Sequence, residues 1–195
     1  MSTAAESSPE SQGQGPLAGL RILDLATIIA APMASTLLSD YGADVLKVEL
    51  PGRGDGVRYF PPFKDGQSLW WKVINRNKRF ITLDLHQAEG IHLLKQLLPR
   101  FDVLVENFRP GTLDGWGLPR EVLWAINPKL VILRVTGFGQ TGPYSDQPGF
   151  ARIFEALGGL TYLTGEPDGE PMHSGYPLGD AVGGLIGAIA LLAAL

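Results

Sequence analysis

Leu20-Arg21-Ile22-Leu23-Asp24-Leu25, then Ala30-Ala31-Pro32, then Tyr41-Gly42 and Asp44-Val45-Leu46-Lys47-Val48-Glu49: residues 20–49 decide the fold. The first six residues read as a strand. A turn of small residues leads into a helix whose apolar positions are Met33, Leu37 and Leu38. Pro32 fits the first helical position, where its missing N–H costs nothing. Gly42 supplies a stop, because glycine takes the left-handed backbone that ends a helix. The segment 44–49 is then a second strand, and a helical crossover makes it parallel to the first.

The same alternation continues outward. A Pro- and Gly-rich stretch, 51–66, reads as a long loop. A strand is predicted over 80–85, followed by a helix with Ile91, Leu94, Leu97 and Leu98 on one face. Strands at 103–106 and 130–135 flank a short helix at 120–126. This order predicts an α/β fold, a doubly wound parallel sheet of Rossmann-like type. No internal repeat is present.

The two ends differ in character. Residues 1–16 are rich in Ser, Gln, Glu, Gly and Ala without an apolar stretch, and the expectation is a disordered tail before a domain over 17–195. The tail lacks the basic start and apolar centre of a signal peptide. Residues 181–195 are an unbroken run of Gly and apolar residues, shorter than the roughly 20 that a bilayer span requires. A buried core helix is expected there. A domain seldom stops inside such a run, so the chain reads as part of a longer protein.

A formal charge of −4 argues against general nucleic-acid binding, which needs a cationic surface. The absence of cysteine excludes disulfides, thiolate metal sites and a Cys nucleophile. It fits a reducing compartment, and a cytoplasmic protein is the expectation. His86, His92 and His173 lack metal-ligand spacing, and no G-x-S-x-G elbow is present. No metal is expected.

Four places carry candidate chemistry. The first βα turn, Ala26-Thr27-Ile28-Ile29-Ala30-Ala31-Pro32, has no G-x-G-x-x-G, which removes the main support for a nicotinamide dehydrogenase. Its small residues would still let a ligand approach the backbone. Lys72, Arg76, Lys78 and Arg79 form a basic cluster that reads either as a phosphate site or as a solvated turn. Asn107-Phe108-Arg109 follows a strand at the edge where open sheets bind ligands. Asp180 falls at the start of the apolar helix, either as an N-cap or as an ionised carboxylate able to attack a thioester carbonyl.

These pieces stand in the order of a known family. Gly19-Leu20-Arg21-Ile22-Leu23-Asp24-Leu25, Gly42-Ala43-Asp44-Val45-Leu46-Lys47-Val48-Glu49 and Pro51-Gly52-Arg53-Gly54-Asp55 are followed by Asn75-Arg76-Asn77-Lys78-Arg79. Asp102-Val103-Leu104-Val105-Glu106-Asn107-Phe108, Gly137-Phe138-Gly139-Gln140-Thr141-Gly142-Pro143 and Gly179-Asp180 complete the set. The chain resembles the class III CoA-transferases, a family that also contains the α-methylacyl-CoA racemases. The likeness covers 17–195.

The resemblance implies an acyl-CoA:carboxylate CoA-transferase with Asp180 as nucleophile. It passes through an acyl-aspartyl anhydride and an aspartyl-CoA thioester. Coenzyme A contacts map onto Ile29, Ala30, Leu83, His86, Asn107, Phe108 and Arg109, with Phe150 near the cofactor. Racemases of the family place a histidine where this chain has Phe150, and phenylalanine cannot act as a base. Transferase is therefore the expected activity, with a racemase or a non-catalytic CoA-binding fragment as alternatives.

The chain departs from the pattern in some transferases at Leu50 and Gly115, where they carry arginine, and at Ala151, where an acidic residue is frequent. Arg53, Arg58 and Arg109 stand nearby as possible substitutes. The family's members are about twice as long and form interlocked homodimers, so this chain alone is expected to be inactive and poorly soluble.

Overall fold

The computed structural model describes residues 15–195; the expected tail thus lies almost wholly outside the described residues. The chain runs β1 (Arg21–Asp24), α1 (Ala30–Asp40), β2 (Asp44–Glu49), a 3-10 turn (Gly56–Tyr59), and a hairpin of β3 (Phe63–Lys64) and β4 (Gln67–Ser68). It continues with α2 (Leu69–Ile74), β5 (Lys78–Thr82), α3 (Ala88–Leu97), β6 (Val103–Glu106), α4 (Thr112–Gly115), α5 (Arg120–Ile126) and β7 (Val131–Arg134). Three helices close it: α6 (Ala151–Leu157), α7 (Leu160–Leu163) and α8 (Leu178–Ala194).

Five strands form one parallel sheet in the order β5-β2-β1-β6-β7. The chain starts at the centre, winds outward to β5, then returns to the other side of β1. The winding direction therefore reverses between β1 and β6, and the carboxyl ends of those strands border the crevice where such sheets bind ligands. The expected doubly wound sheet is present.

Both faces of the sheet are covered, which explains the nearly continuous apolar strands. Ile22, Val45 and Val103 point to one face and pack with Ala31, Ala34, Leu38, Ala188 and Leu191. Leu23, Leu46 and Leu104 point to the other and meet Leu94, Leu98, Leu118 and Leu123. This is the period-two alternation of a strand with an apolar residue at every position.

Several local expectations are corrected. Pro32 is the third residue of α1, after an N-cap at Ile29; it is still within the first turn, whose N–H groups have no helical partner. The strand expected at 80–85 begins and ends earlier, at Lys78–Thr82, because Lys78 is buried and continues the ladder beside Val45. The 51–66 loop contains the 3-10 turn and most of the hairpin.

The apolar run is a helix, but only one face is buried. Ala181, Gly184, Gly187, Ala188 and Leu191 face the domain, whereas Val182, Leu185, Ile186, Ile189 and Leu192 are exposed. Small residues bring α8 close to α1: a Cβ on Gly184 would stand 2.7 Å from the Ala30 carbonyl oxygen and 2.9 Å from Met33 Cβ. Gly187 lies over Leu133 and Ala34. Successive contacts with Ala30 and Ala34 show that α8 runs parallel to α1. No described helix is long and apolar enough to cross a membrane.

Candidate active site

The first βα turn is held from three sides. Asp24 Oδ1 accepts the Ala26 N–H at 2.9 Å. Asn107 brackets Thr27, its Oδ1 accepting the Thr27 N–H at 2.8 Å and its Nδ2 donating to the Thr27 carbonyl at 2.7 Å. Asp55 Oδ1 accepts the N–H groups of Ile28 and Val57, each at 3.0 Å. These bonds hold Ile28 at φ 70°, a left-handed conformation that costs a β-branched residue about 1–3 kcal/mol.

Beneath the turn lie two buried ion pairs. Lys47 Nζ is 3.0 Å from Asp55 Oδ2, and Lys78 Nζ is 2.8 Å from Asp24 Oδ2. Lys78 also donates to the Pro32 carbonyl and to Asn75 Oδ1. Of the basic cluster, Lys72, Arg76 and Arg79 are exposed and only Lys78 departs from a solvated turn. Arg76 pairs with Asp40, Arg79 with Asp44, and Lys78 is internal. Arg58 is also occupied: it forks onto Glu49 and lies 3.4 Å from the centroid of the Trp71 ring.

A cleft opens at the carboxyl edge between the first turn, Leu50, Leu83, His86, Phe108 and Trp116. Three of the residues mapped to coenzyme A, namely Leu83, His86 and Phe108, line it together. The ring of Trp116 meets His86 and Phe108 edge-on, with centroids 4.9 and 5.1 Å away. His86 Nδ1 lies 2.8 Å from Asp84 Oδ1. The other mapped residues behave differently. Ile29 is buried at the start of α1, Ala30 is half-buried, Asn107 spends its amide on Thr27, and Arg109 is exposed. Phe150 is 75% exposed and lies outside the cleft lining, as the N-cap residue of α6.

Glu106 closes β6 behind this cleft. Its Oε2 accepts the Phe108 N–H at 2.6 Å and its Oε1 stands 3.2 Å from Arg134 Nε. Burial pushes its carboxyl up to about 7, outweighing the Phe108 amide and the Arg134 guanidinium. A raised carboxyl steadies the fold while protonated. Its contribution is complete below the ordinary value of 4.5 and is lost as pH rises through about 7. The full span corresponds to roughly 3 kcal/mol. Urea denaturation of Glu106→Gln should accordingly show a shallower fall in stability across this window than the wild type.

Asp180 occupies the third position of α8 and makes no cap hydrogen bond; the N-cap residue is Pro177. It precedes Gly184 by one helical turn and shares its face. Because Gly184 lies against Ala30, Asp180 stands about 6 Å farther along the axis, above the start of α1. The carboxylate and the first βα turn therefore lie at the same edge of the sheet. A helix start alone would keep Asp180 ionised. Instead burial, and then the nearby Glu155 carboxylate, push it up to about 6.

Glu155 and the internal pairing of Lys47 and Lys78 do not figure among the sequence expectations. For Lys47 a signal existed: a lysine between Leu46 and Val48, in a strand covered on both faces, has to be paired internally. Glu155 gives no such signal, since its partner Gly179 lies on another helix.

Together these features define an α/β domain with a cleft at the carboxyl edge of its sheet and a half-buried carboxylate in the first turn of α8. The chain belongs to CoA-transferase family III, which it matches over residues 17–195. It is 55% identical to the succinyl-CoA–L-malate CoA-transferase beta subunit of Chloroflexus aurantiacus, over 92% of this chain and 45% of that one. Identity to the succinate–glutarate CoA-transferase of Agrobacterium fabrum is 43%, over 92% of this chain and 47% of that one. Among solved structures, a CAIB/BAIF family protein from Brucella suis superposes with a TM-score of 0.88 at 42% identity, over 92% of this chain and 49% of the other. The chain spans about half the length of the curated relatives it matches.

Proposed function

We propose that the protein carrying this domain transfers CoA from an acyl-CoA donor to a carboxylic acid, with Asp180 as the nucleophile. The observation that carries the reading is the placement of a half-buried carboxylate one helical turn above the first βα turn, within a CoA-transferase family domain. Its ionisation near 6 leaves it mostly charged at neutral pH, while burial strips solvent from it. A desolvated carboxylate is a stronger nucleophile than a hydrated one.

The steps balance without a redox partner. Asp180 attacks the thioester carbonyl, the C–S bond breaks, and CoA thiolate leaves an acyl-aspartyl anhydride. The thiolate then attacks the aspartyl carbonyl, releasing the donor acid as carboxylate and forming an aspartyl-CoA thioester. The acceptor carboxylate then attacks the aspartyl carbonyl and displaces the thiolate, giving an acceptor–aspartyl anhydride; the thiolate attacks the acceptor's carbonyl, forming the new acyl-CoA and releasing the Asp180 carboxylate. No proton is consumed.

Within the domain, the cleft beside Leu83, His86 and Phe108 receives part of the coenzyme A, against the start of α1 at Ile29 and Ala30. Arg109 and Arg53, both exposed, are the cations available to a phosphate here, since Arg58 is tied to Glu49. Asn107 acts by fixing the turn, and Phe150 lies at the Asp180 end of the site. The relatives, a succinyl-CoA–L-malate and a succinate–glutarate CoA-transferase, point to succinyl-CoA as donor and a dicarboxylic acid as acceptor. A cytoplasmic homodimer, with a second half covering the outer face of α8, completes this reading.

The test is a chromatographic assay of this chain, and of a longer polypeptide containing it, with succinyl-CoA and a panel of dicarboxylic acids. A new acyl-CoA that depends on the acceptor supports the proposal. Exchange of an α-proton into deuterated solvent without any transfer would replace it with a racemase.

A further inference from the structure

Glu155 is a buried carboxylate that neither the cleft nor the reaction above uses. It is 6% exposed, on α6, and its Oε1 accepts the Gly179 N–H at 2.9 Å. Gly179 is the second residue of α8, one of the four N–H groups that a helix leaves without a partner. The N-cap residue Pro177 has no side-chain acceptor to offer it. The cap therefore comes from a different helix. The two helices also touch at this point, since a Cβ on Gly179 would lie 3.3 Å from Ala151 at the start of α6.

We propose that Glu155 is the positioning residue of the candidate active site: by capping α8 from α6 it fixes the backbone immediately ahead of Asp180 and sets a second carboxylate against it. This rests on the reading of Asp180 as the reacting group. Charge supplies the second consequence. Two carboxylates share one helix start, and repulsion adds to burial in pushing the Asp180 carboxyl up. The groups facing the pair are few. His173, on the segment before α8, has its Nδ1 4.0 Å from Glu155 Oε2 and is half-exposed; α1 presents the Ala30 backbone and Met33 toward this end of α8.

Carbon-13 NMR titration of the aspartate carboxyls, with Asp180 assigned by the signal lost in Asp180→Asn, tests the proposal. Glu155→Gln keeps an acceptor for the Gly179 N–H and removes the charge. The Asp180 midpoint should fall from about 6 part-way to the ordinary carboxylate value, because the burial contribution stays. Hydrogen exchange at the Gly179 amide should be little changed in Glu155→Gln and about tenfold faster in Glu155→Ala, where the cap is gone. An unmoved midpoint in Glu155→Gln, or full protection of Gly179 in Glu155→Ala, overturns the proposal. These readouts need no turnover. If the midpoint moves but Asp180 takes no acyl group, the role of Glu155 survives and the proposed function fails. If Asp180 is acylated while the midpoint stays put, the proposed function survives and the role of Glu155 fails.

Discussion

Lys78→Met is expected to destabilise the domain by about 3–5 kcal/mol at neutral pH, the usual cost of leaving one member of a buried ion pair alone. Lys78 and Asp24 are both fully buried, and the ammonium also holds the Pro32 carbonyl in the first turn of α1. Burial acts to raise the Asp24 carboxyl, but Lys47 and Lys78 overcome it and hold Asp24 below the ordinary range. With Lys78 gone, Ser35 Oγ at 2.6 Å is the nearest remaining donor.

The pH dependence gives a second check on that variant. A carboxylate with a depressed pKa adds stability above its unfolded value, and that stability is lost as pH falls through the folded one. Removing Lys78 takes away part of that depression and leaves Lys47, so the gap between variant and wild type should narrow as pH falls through the carboxylate range. Urea titrations at several pH values measure this directly. The double variant Lys78→Met, Asp24→Leu should recover only part of the loss, since it removes the lone buried charge but leaves the Ala26 N–H and the Ser35 hydroxyl without their acceptor.

The second large effect concerns activity. Asp180→Asn keeps the shape of the side chain and removes the nucleophile, so CoA transfer should drop on the order of 10⁴-fold or more, with KM little changed. The same variant should be more stable than the wild type above pH 6. Burial and Glu155 hold the Asp180 pKa above its unfolded value, so ionisation weakens the fold as pH rises through about 6. An amide carries no such penalty. Gain of stability with loss of activity is the pattern of a group held for chemistry at a cost to the fold.

Much of the fold was legible because its signals are local. The stops at Gly42 and the apolar runs at 44–49 and 103–106 mark strands that the structure places within a residue or less. What failed was long-range. Lys78 reads as surface charge until its partner, 54 residues earlier, is brought beneath it. The run 181–195 reads as a core helix because composition reports hydrophobicity and not which face is covered. Asp180 is singled out by its motif, but its environment is not. The expectation of a helix start stabilising its charge gave way to burial and to Glu155, which lies 24 residues from the glycine it caps.

The central claim is covalent attachment at Asp180. It is tested by incubating the protein with succinyl-CoA, trapping with hydroxylamine and mapping the peptides by mass spectrometry. An activated aspartyl ester yields a hydroxamate, and the account predicts that hydroxamate at Asp180, absent without donor and absent in Asp180→Asn. Acceptor-dependent CoA transfer with an unmodified Asp180, or a hydroxamate on another residue, would contradict it.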